Sequence, residues 1–254
     1  MRIKTLQWNI GGGKIRKEAD GIDGPYVNDG LDSIVAFIQE VQPDIVTLQE
    51  THADDHFIQA RSIADRVGLP FVINDVYDKS HIEVGQGLGQ AILSRFPLHD
   101  HSFAFFDNPH FQITRPDGAI WHSHDKGVSR VITDLGDGRT LELATTHFIP
   151  FRKFGLDPLS EEQRALRESI TALLKPSVEN FLLQGDFNYN HSSLTGFLTG
   201  LFESGVAEIP QMTVTTPFGR TYDHVVYRGL KLVHSEVTTE VLTDHFPIVS
   251  TFEI

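Results

Sequence analysis

The sequence predicts an α/β fold, and three features carry that prediction. Short apolar runs typical of strands alternate with apolar stripes at helical spacing, and Gly or Pro punctuates the boundaries between them. With 40% hydrophobic and 22% charged residues over 254 positions, the composition is that of a chain that buries a core, not of a disordered one. No repeat, linker or low-complexity tract divides it, so one domain over residues 1–254 is expected.

Residues 3–10 alternate as a strand does, and Gly11-Gly12-Gly13 ends the pattern in a flexible loop. Leu31, Ile34, Val35, Ile38 and Val41 mark one face of a helix that Pro43 terminates, and the apolar run 44–50 follows as a buried strand ending at Glu50. A second helix is predicted over 54–67, stopped by Gly68 and Pro70, with strands over 71–77 and 88–93. The pattern fails over 98–126, which holds Pro109, Pro116, Gly118 and five of the 13 His residues, and this stretch is expected to be an inserted loop. Runs 128–135 and 140–148, joined at Gly136-Asp137-Gly138, predict a hairpin. Ser160-Glu161-Glu162-Gln163 has the form of a capping box opening a helix whose stripe is Leu166, Ile170, Leu173 and Leu174. A buried strand ending at Asp186, a short helix over 192–202 and strands over 222–227, 230–238 and 248–252 complete the reading.

Lys and Arg number 21 against 34 Asp and Glu, giving a net charge of −13 and a pI near 5.4. Such a surface lacks the basic footprint of a protein that grips long nucleic acid by releasing counterions. Zero Cys excludes structural disulfides, thiolate zinc sites and cysteine nucleophiles, so any metal falls to Asp, Glu, Asn or His. No run reaches the roughly 18 consecutive apolar residues of a spanning helix, and the first residues lack the apolar core of a signal peptide. A soluble, cytoplasmic monomer is the expectation.

Chelating residues recur where the apolar strands end: Trp8-Asn9-Ile10, Leu48-Gln49-Glu50, Gly185-Asp186-Phe187-Asn188, Tyr222-Asp223-His224 and Thr243-Asp244-His245. An Asp at one strand end is usually a turn residue, and a three-letter pattern arises by chance. Their ordered set carries the weight. Carboxylates and amides without a thiol favour a hard, oxygen-ligated Mg²⁺ or Mn²⁺ over zinc.

In order along the chain, these strings resemble the endonuclease/exonuclease/phosphatase superfamily, which holds deoxyribonuclease I, exonuclease III-type repair enzymes, inositol polyphosphate phosphatases and sphingomyelinases. Gly89-Gln90-Ala91-Ile92-Leu93-Ser94-Arg95-Phe96-Pro97, Thr145-Thr146-His147 and Thr243-Asp244-His245-Phe246-Pro247 add to the likeness, which runs from Asn9 to His245. The resemblance implies a four-layer α/β sandwich of two packed sheets flanked by helices, with the site at one rim. It implies Glu50 and Asn9 at the metal and Asp244 as a further metal or phosphate contact. Asp186 and Asn188 match the pair that positions water and phosphate, His245 the catalytic His, Asp223 its orienting carboxylate, and His147 the second His of the deoxyribonuclease I branch.

The chemistry of these residue types agrees with those roles. Phosphoester hydrolysis needs charge neutralised on the phosphoryl oxygens, which a metal on Glu50 supplies, and an imidazole fixed by a carboxylate is suited to proton transfer. Asp186 and His245 are both eligible as the base. Two departures stand out. The deoxyribonuclease I branch pairs its second His with a Glu before the Ala-Ile-Leu-Ser-Arg strand, where this chain has Gly87-Leu88-Gly89-Gln90, and it carries an Arg where this chain has His52.

Other candidates are weaker. Lys14 after the three glycines lacks the following Ser or Thr of a phosphate loop. His99, His101, His110, His122 and His124 match no zinc spacing and suit a solvated loop overhanging the site. His224 should point away from Asp223 and serve structure. Arg130 is weighed as a phosphate-facing Arg against a surface ion pair. Phe148, Phe151, Arg152, Lys153 and Phe154, after His147, form a candidate substrate lip, though clustered Phe often pack a loop down. The expected activity is Mg²⁺-dependent hydrolysis, more as a phosphodiesterase, of a small or terminal phosphoester such as a nucleic-acid end, a nucleotide-like ester or a headgroup. The alternatives are an endonuclease on internal DNA phosphodiesters and a phosphomonoesterase of the inositol-phosphate type. A calcineurin-like enzyme is excluded by the absence of its Gly-Asn-His motif.

Overall fold

The computed structural model describes residues 1–116, 118–136 and 138–254. Its strands in chain order are β1 (Arg2–Asn9), β2 (Lys14–Ile15), β3 (Asn28–Asp29), β4 (Ile45–Ala53), β5 (Phe71–Lys79), β6 (Gly87–Ser94), β7 (Leu98–Phe105) and β8 (Gln112–Thr114). There follow β9 (Ile120–His122), β10 (Gly127–Asp134), β11 (Thr140–His147), β12 (Phe181–Asp186), β13 (Ala207–Glu208), β14 (Asp223–Arg228), β15 (Lys231–Val237) and β16 (Ile248–Glu253). The α-helices are α1 (Leu31–Val41), α2 (Gln59–Val67), α3 (Arg164–Leu174) and α4 (Thr199–Phe202).

Two six-stranded mixed sheets form, in the orders β15-β16-β1-β4-β6-β5 and β13-β14-β12-β11-β10-β7. Each has one parallel pair at its centre, β1 with β4 and β11 with β12, and antiparallel neighbours elsewhere. Three apolar layers hold the sandwich. Leu6, Trp8, Val46 and Leu48 turn to α1 and α2, while Val128, Ala144, Phe181 and Leu183 turn to α3 and α4. Between the sheets lie Ile3, Ile45, Ile92, Val131, Leu143, Leu182 and Phe252.

That middle layer changes polarity along the strands, and this gradient positions the site. Because strand side chains alternate, one face of β1 reads Ile3, Thr5, Gln7, Asn9, one face of β4 reads Ile45, Thr47, Gln49, and one face of β12 reads Leu182, Gln184, Asp186. All are buried. The buried amides pair within and between the sheets: Gln7 Nε2 donates to Gln49 Oε1 on the neighbouring strand at 2.7 Å, while Gln49 Nε2 crosses to Thr145 Oγ1 at 2.9 Å and Gln184 Nε2 crosses to Thr5 Oγ1 at 3.2 Å. Pairing such donors avoids the cost of burying a bare amide, about 1–3 kcal/mol each.

Several elements differ from expectation. The stretch 98–126 is largely ordered: β7 is an edge strand beside β10, and β8 and β9 form a separate ribbon. The second helix starts only at Gln59, and of the helix over 192–202 only α4 forms. Ser160 makes no side-chain cap, because a 3₁₀ turn over Glu161–Gln163 precedes α3. β10 and β11 pair antiparallel as a hairpin requires; its turn residue Asp137 lies outside the described residues. Among the described residues, no helix is long and apolar enough to cross a membrane.

Candidate active site

The polar ends of both sheets meet at one rim. Glu50 sits in a β-bulge: Gln49 pairs with Gln90 and Thr51 with Gly89, leaving Glu50 without an opposite residue and at a φ of 55°. A bulge re-aims the extra side chain, and a left-handed Glu is a strained conformation found where a site needs it. On the second sheet, Asp186 ends β12 in a turn closed by the Asn188 N–H, which donates to Asp186 Oδ1 at 2.8 Å. Asn188 takes a φ of 49°, a conformation Asn tolerates, and its Nδ2 donates to the Phe148 carbonyl at 3.0 Å.

Asp223 and His245 form a tight pair. His245 Nδ1 lies 2.8 Å from Asp223 Oδ2, and Gln7 Nε2 donates to Asp223 Oδ1 at 3.0 Å. The Trp8 indole N–H donates to the His245 carbonyl at 3.0 Å and so fixes the loop that carries it. The other ring nitrogen, His245 Nε2, stands 3.6 Å from Asp186 Oδ2. His147 Nε2 approaches the same oxygen at 3.4 Å and Glu50 Oε1 at 3.8 Å, and Asn9 Nδ2 donates to it at 3.0 Å. Asp186, Asp223 and His245 each bring a ligand atom within 4.8 Å of the others, a group able to hold a metal ion.

The electrostatics divide the two imidazoles. Burial alone would discharge His245, but the carboxylates of Asp223 and Asp186 outweigh it and hold its pKa well above the ordinary value. His147 is held well below by burial and then by the Lys126 ammonium, so it is neutral. Its Nδ1 lies 2.8 Å from Lys126 Nζ and 3.1 Å from the Tyr77 hydroxyl. An ammonium can only donate, so Nδ1 accepts and the ring proton falls on Nε2, facing the carboxylates. Burial pushes Asp186 up to about 6 against the pull of His245. It pushes Asp244 to about 6 as well, with Glu50 adding repulsion. Glu50 itself is lowered, because Lys126, His81 and His245 outweigh its burial.

These groups line a cavity of about 240 Å³ shared by Glu50, His147, Asp186, Asn188, Asp244 and His245. A sequence model of the Endonuclease/Exonuclease/phosphatase family matches residues 6–245. The chain belongs to that family. A UPF0294 protein of Yersinia enterocolitica is 31% identical over 134 residues, 50% of this chain and 48% of that one, so the match spans about half of each. An endonuclease/exonuclease/phosphatase from Beutenbergia cavernae superposes with a TM-score of 0.76 at 17% identity, covering 100% of this chain and 72% of the other. The Bacteroides thetaiotaomicron mannosyl-6-phosphatase Bt3783 gives 0.67 at 15% identity, covering 99% and 100%. At such identities the likeness is one of fold.

Within this family member, three expected placements are corrected. Arg130 is far from the rim: it pairs with buried Glu142 and donates to the carbonyls of Leu173 at 2.6 Å and Lys175 at 2.8 Å, tying β10 to the end of α3. Phe151 is a core residue, edge-on to Phe197 and 2% exposed, so it cannot stack on a ligand. Arg152 is exposed and outside the cavity lining. Asn9 is held at the rim: its Oδ1 accepts from the Gly11 N–H at 3.0 Å while its Nδ2 donates to Asp186. Lys153 does line the cavity. His224 is fully buried against Glu208 at 2.9 Å, and Lys14 is paired with Glu83.

Sequence reading missed Lys126, Tyr77, His81 and Trp121. Trp121, on β9, carries the Lys153 ammonium 3.7 Å from its ring centroid, and His81 packs 4.9 Å from His124. Of the five clustered His residues, His122 and His124 reach the cavity. A basic residue at the start of a strand that pairs with the His147 strand was the available signal for Lys126.

Proposed function

We propose that the chain is a Mg²⁺-dependent phosphoesterase acting on a small or terminal phosphoester. The supporting observation is the convergence of Glu50, Asp186, Asp244, His147 and His245 on one small cavity, with Asp223 buried behind His245. Glu50 and Asp244 would hold the ion. Asp244 Oδ1 is buried without a hydrogen-bond partner and the two carboxylates repel, so the pair fits a cation, and an oxygen set suits Mg²⁺ or Mn²⁺. Gly11 leaves room for it: a Cβ there would stand 2.9 Å from that oxygen. When bound, the ion supplies charge neutralisation on the phosphoryl group.

The proton chemistry follows from the chain's own groups. Asp186, ionised at neutral pH, accepts the proton of the attacking water. His245, charged and fixed by Asp223, donates Nε2–H to the negative charge that develops on phosphorus-bound oxygen, and His147 donates its own Nε2–H as a neutral group. Asp186 is thereby preferred over His245 as base, because a His that already holds its proton cannot accept another.

Hydrolysis of bis(p-nitrophenyl) phosphate and p-nitrophenyl phosphate, with Mg²⁺ and after chelation, tests this. Metal-dependent release from at least one ester is expected. Full activity in excess chelator, or none on any ester of a panel of sugar phosphates, nucleotides and headgroups, would overturn it.

A further inference from the structure

Resting on that phosphoesterase reading, we propose that Lys126 and Lys153 form an anion subsite selecting substrates whose cleaved end carries two negative charges, a terminal phosphate monoester. Lys126 is 3% exposed, and its Nζ touches only the neutral Nδ1 of His147 at 2.8 Å and the face of Tyr77, 5.0 Å from the ring centroid. Among the described residues, no carboxylate comes within ion-pair distance, 4.0 Å, of either lysine. An ammonium has three donors, and one imidazole lone pair, contested by Tyr77, satisfies at most one of them. Burying an ammonium without a paired charge costs several kcal/mol in general. Glu50 and Asp186 act on this cation only from beyond ion-pair distance, which leaves its remaining donors for a ligand.

Lys153 reaches the cavity by a different device. It belongs to the 3₁₀ turn Phe151–Phe154, and its ammonium is clamped on the face of Trp121 at 3.7 Å, while Phe154 packs against the same indole at 5.8 Å. The β8–β9 ribbon thereby fixes a long, otherwise mobile side chain at the mouth. Trp121 is thus engaged by a cation and is no open platform for a base.

Charge and size point the same way. Four carboxylates at the rim face one imidazolium and, when loaded, one divalent cation; the two lysines turn that balance from net negative to net positive. A monoester presents three unesterified oxygens to this set of donors where a diester presents two, so it can meet the ion, His245 and both ammoniums more fully. The cavity of about 240 Å³ lies below the roughly 300–1,000 Å³ usual for ligand pockets, so it admits a phosphate and little of its ester group.

The test compares wild type with Lys126→Met, Lys153→Met and Trp121→Leu on p-nitrophenyl phosphate and bis(p-nitrophenyl) phosphate. A sugar phosphate and a dinucleotide with a terminal phosphate separate small esters from nucleic-acid ends. In wild type kcat/KM should favour monoesters. Each lysine variant should lower the monoester-to-diester ratio by about tenfold, mostly through KM, as removal of one charge-assisted contact predicts. Trp121→Leu should do the same more weakly. Equal losses on both ester classes, or an unchanged ratio, would overturn the subsite. Should wild type cleave nothing, the phosphoesterase reading fails, and calorimetric titration of the protein in excess Mg²⁺ with inorganic phosphate decides the subsite separately. Binding that both lysine variants weaken supports it, and binding that neither weakens, or no binding to wild type, refutes it.

Discussion

Asp186 should lower the stability of the metal-free protein for the sake of its chemistry, and the effect can be isolated by pH. Its carboxyl moves from 3.8 to about 6 on folding because burial penalises the charge. A raised folded-state pKa contributes stability that is fully present below the unfolded value and is lost as pH rises through the folded one. At about 1.36 kcal/mol per unit, the whole term is about 3 kcal/mol, and between about pH 8 and about pH 5 on the order of 1 kcal/mol of it returns. Asp186→Asn removes the titration. It also sets an amide against Asn9 Nδ2 and the two imidazoles, a cost of about 1–2 kcal/mol that does not vary with this titration. Urea unfolding of both proteins in chelator, at about pH 5 and about pH 8, gives the comparison. Wild type should gain on the variant by on the order of 1 kcal/mol at the lower pH. A stability difference that stays constant between the two conditions would refute the raised carboxyl and, with it, the assignment of Asp186 as base.

Four further outcomes are expected. Glu50→Gln should weaken Mg²⁺ binding, read by calorimetry, and cut turnover by about 10²-fold or more, since it removes one of two carboxylates facing the ion. Asp223→Ala and His245→Ala should each cost about 10³-fold in kcat, with the double variant no more than about tenfold worse than the poorer single, because the 2.8 Å pair acts as a unit; losses that multiply would separate them. Arg130→Met should lose about 3 kcal/mol in urea unfolding, leaving buried Glu142 with its bonds from Ser177 and Val178 but no counter-charge, and KM unaltered; a raised KM would return Arg130 to the site. The net charge of −13 predicts weak salt dependence on nucleic-acid ends, about two phosphate contacts at a slope near −0.9 each; rapid nicking of supercoiled plasmid at physiological salt, faster than cleavage of short esters, would restore an endonuclease.

Much of the rim was legible because strand alternation writes it into the chain. Ile3, Thr5, Gln7 and Asn9 rise in polarity at every second position, as do Leu182, Gln184 and Asp186, so the end of each run names the residues that meet where the sheets do. β7 was illegible for the opposite reason. As an edge strand with few buried side chains it has no inner face to pattern, and its His and Asp residues read as loop. Arg130 misled because the choice of face depends on register. It stands with Val128 and Ala144 on the side turned to α3, and four residues separate it from Lys126, about 13 Å along a strand.

The missing Glu before the Ala-Ile-Leu-Ser-Arg strand has a physical consequence that spacing could not reveal. A carboxylate on His147 Nδ1 would draw the ring proton to that nitrogen and raise the basicity of Nε2. Here Lys126, brought from the start of β10, and Tyr77, 70 residues away on β5, place donors on the same atom. Both push the proton to Nε2 and keep the ring uncharged, so His147 can give a hydrogen bond toward the cavity but has no lone pair there with which to take a proton. The two histidines at this rim therefore cannot exchange roles. One is a cation set by carboxylates and the other a neutral donor set by an ammonium. A substitution that restores the usual partner, Lys126→Glu, should raise the His147 pKa, measurable by NMR titration of the chelated protein; an unmoved imidazole would mean that Lys126 does not govern its tautomer.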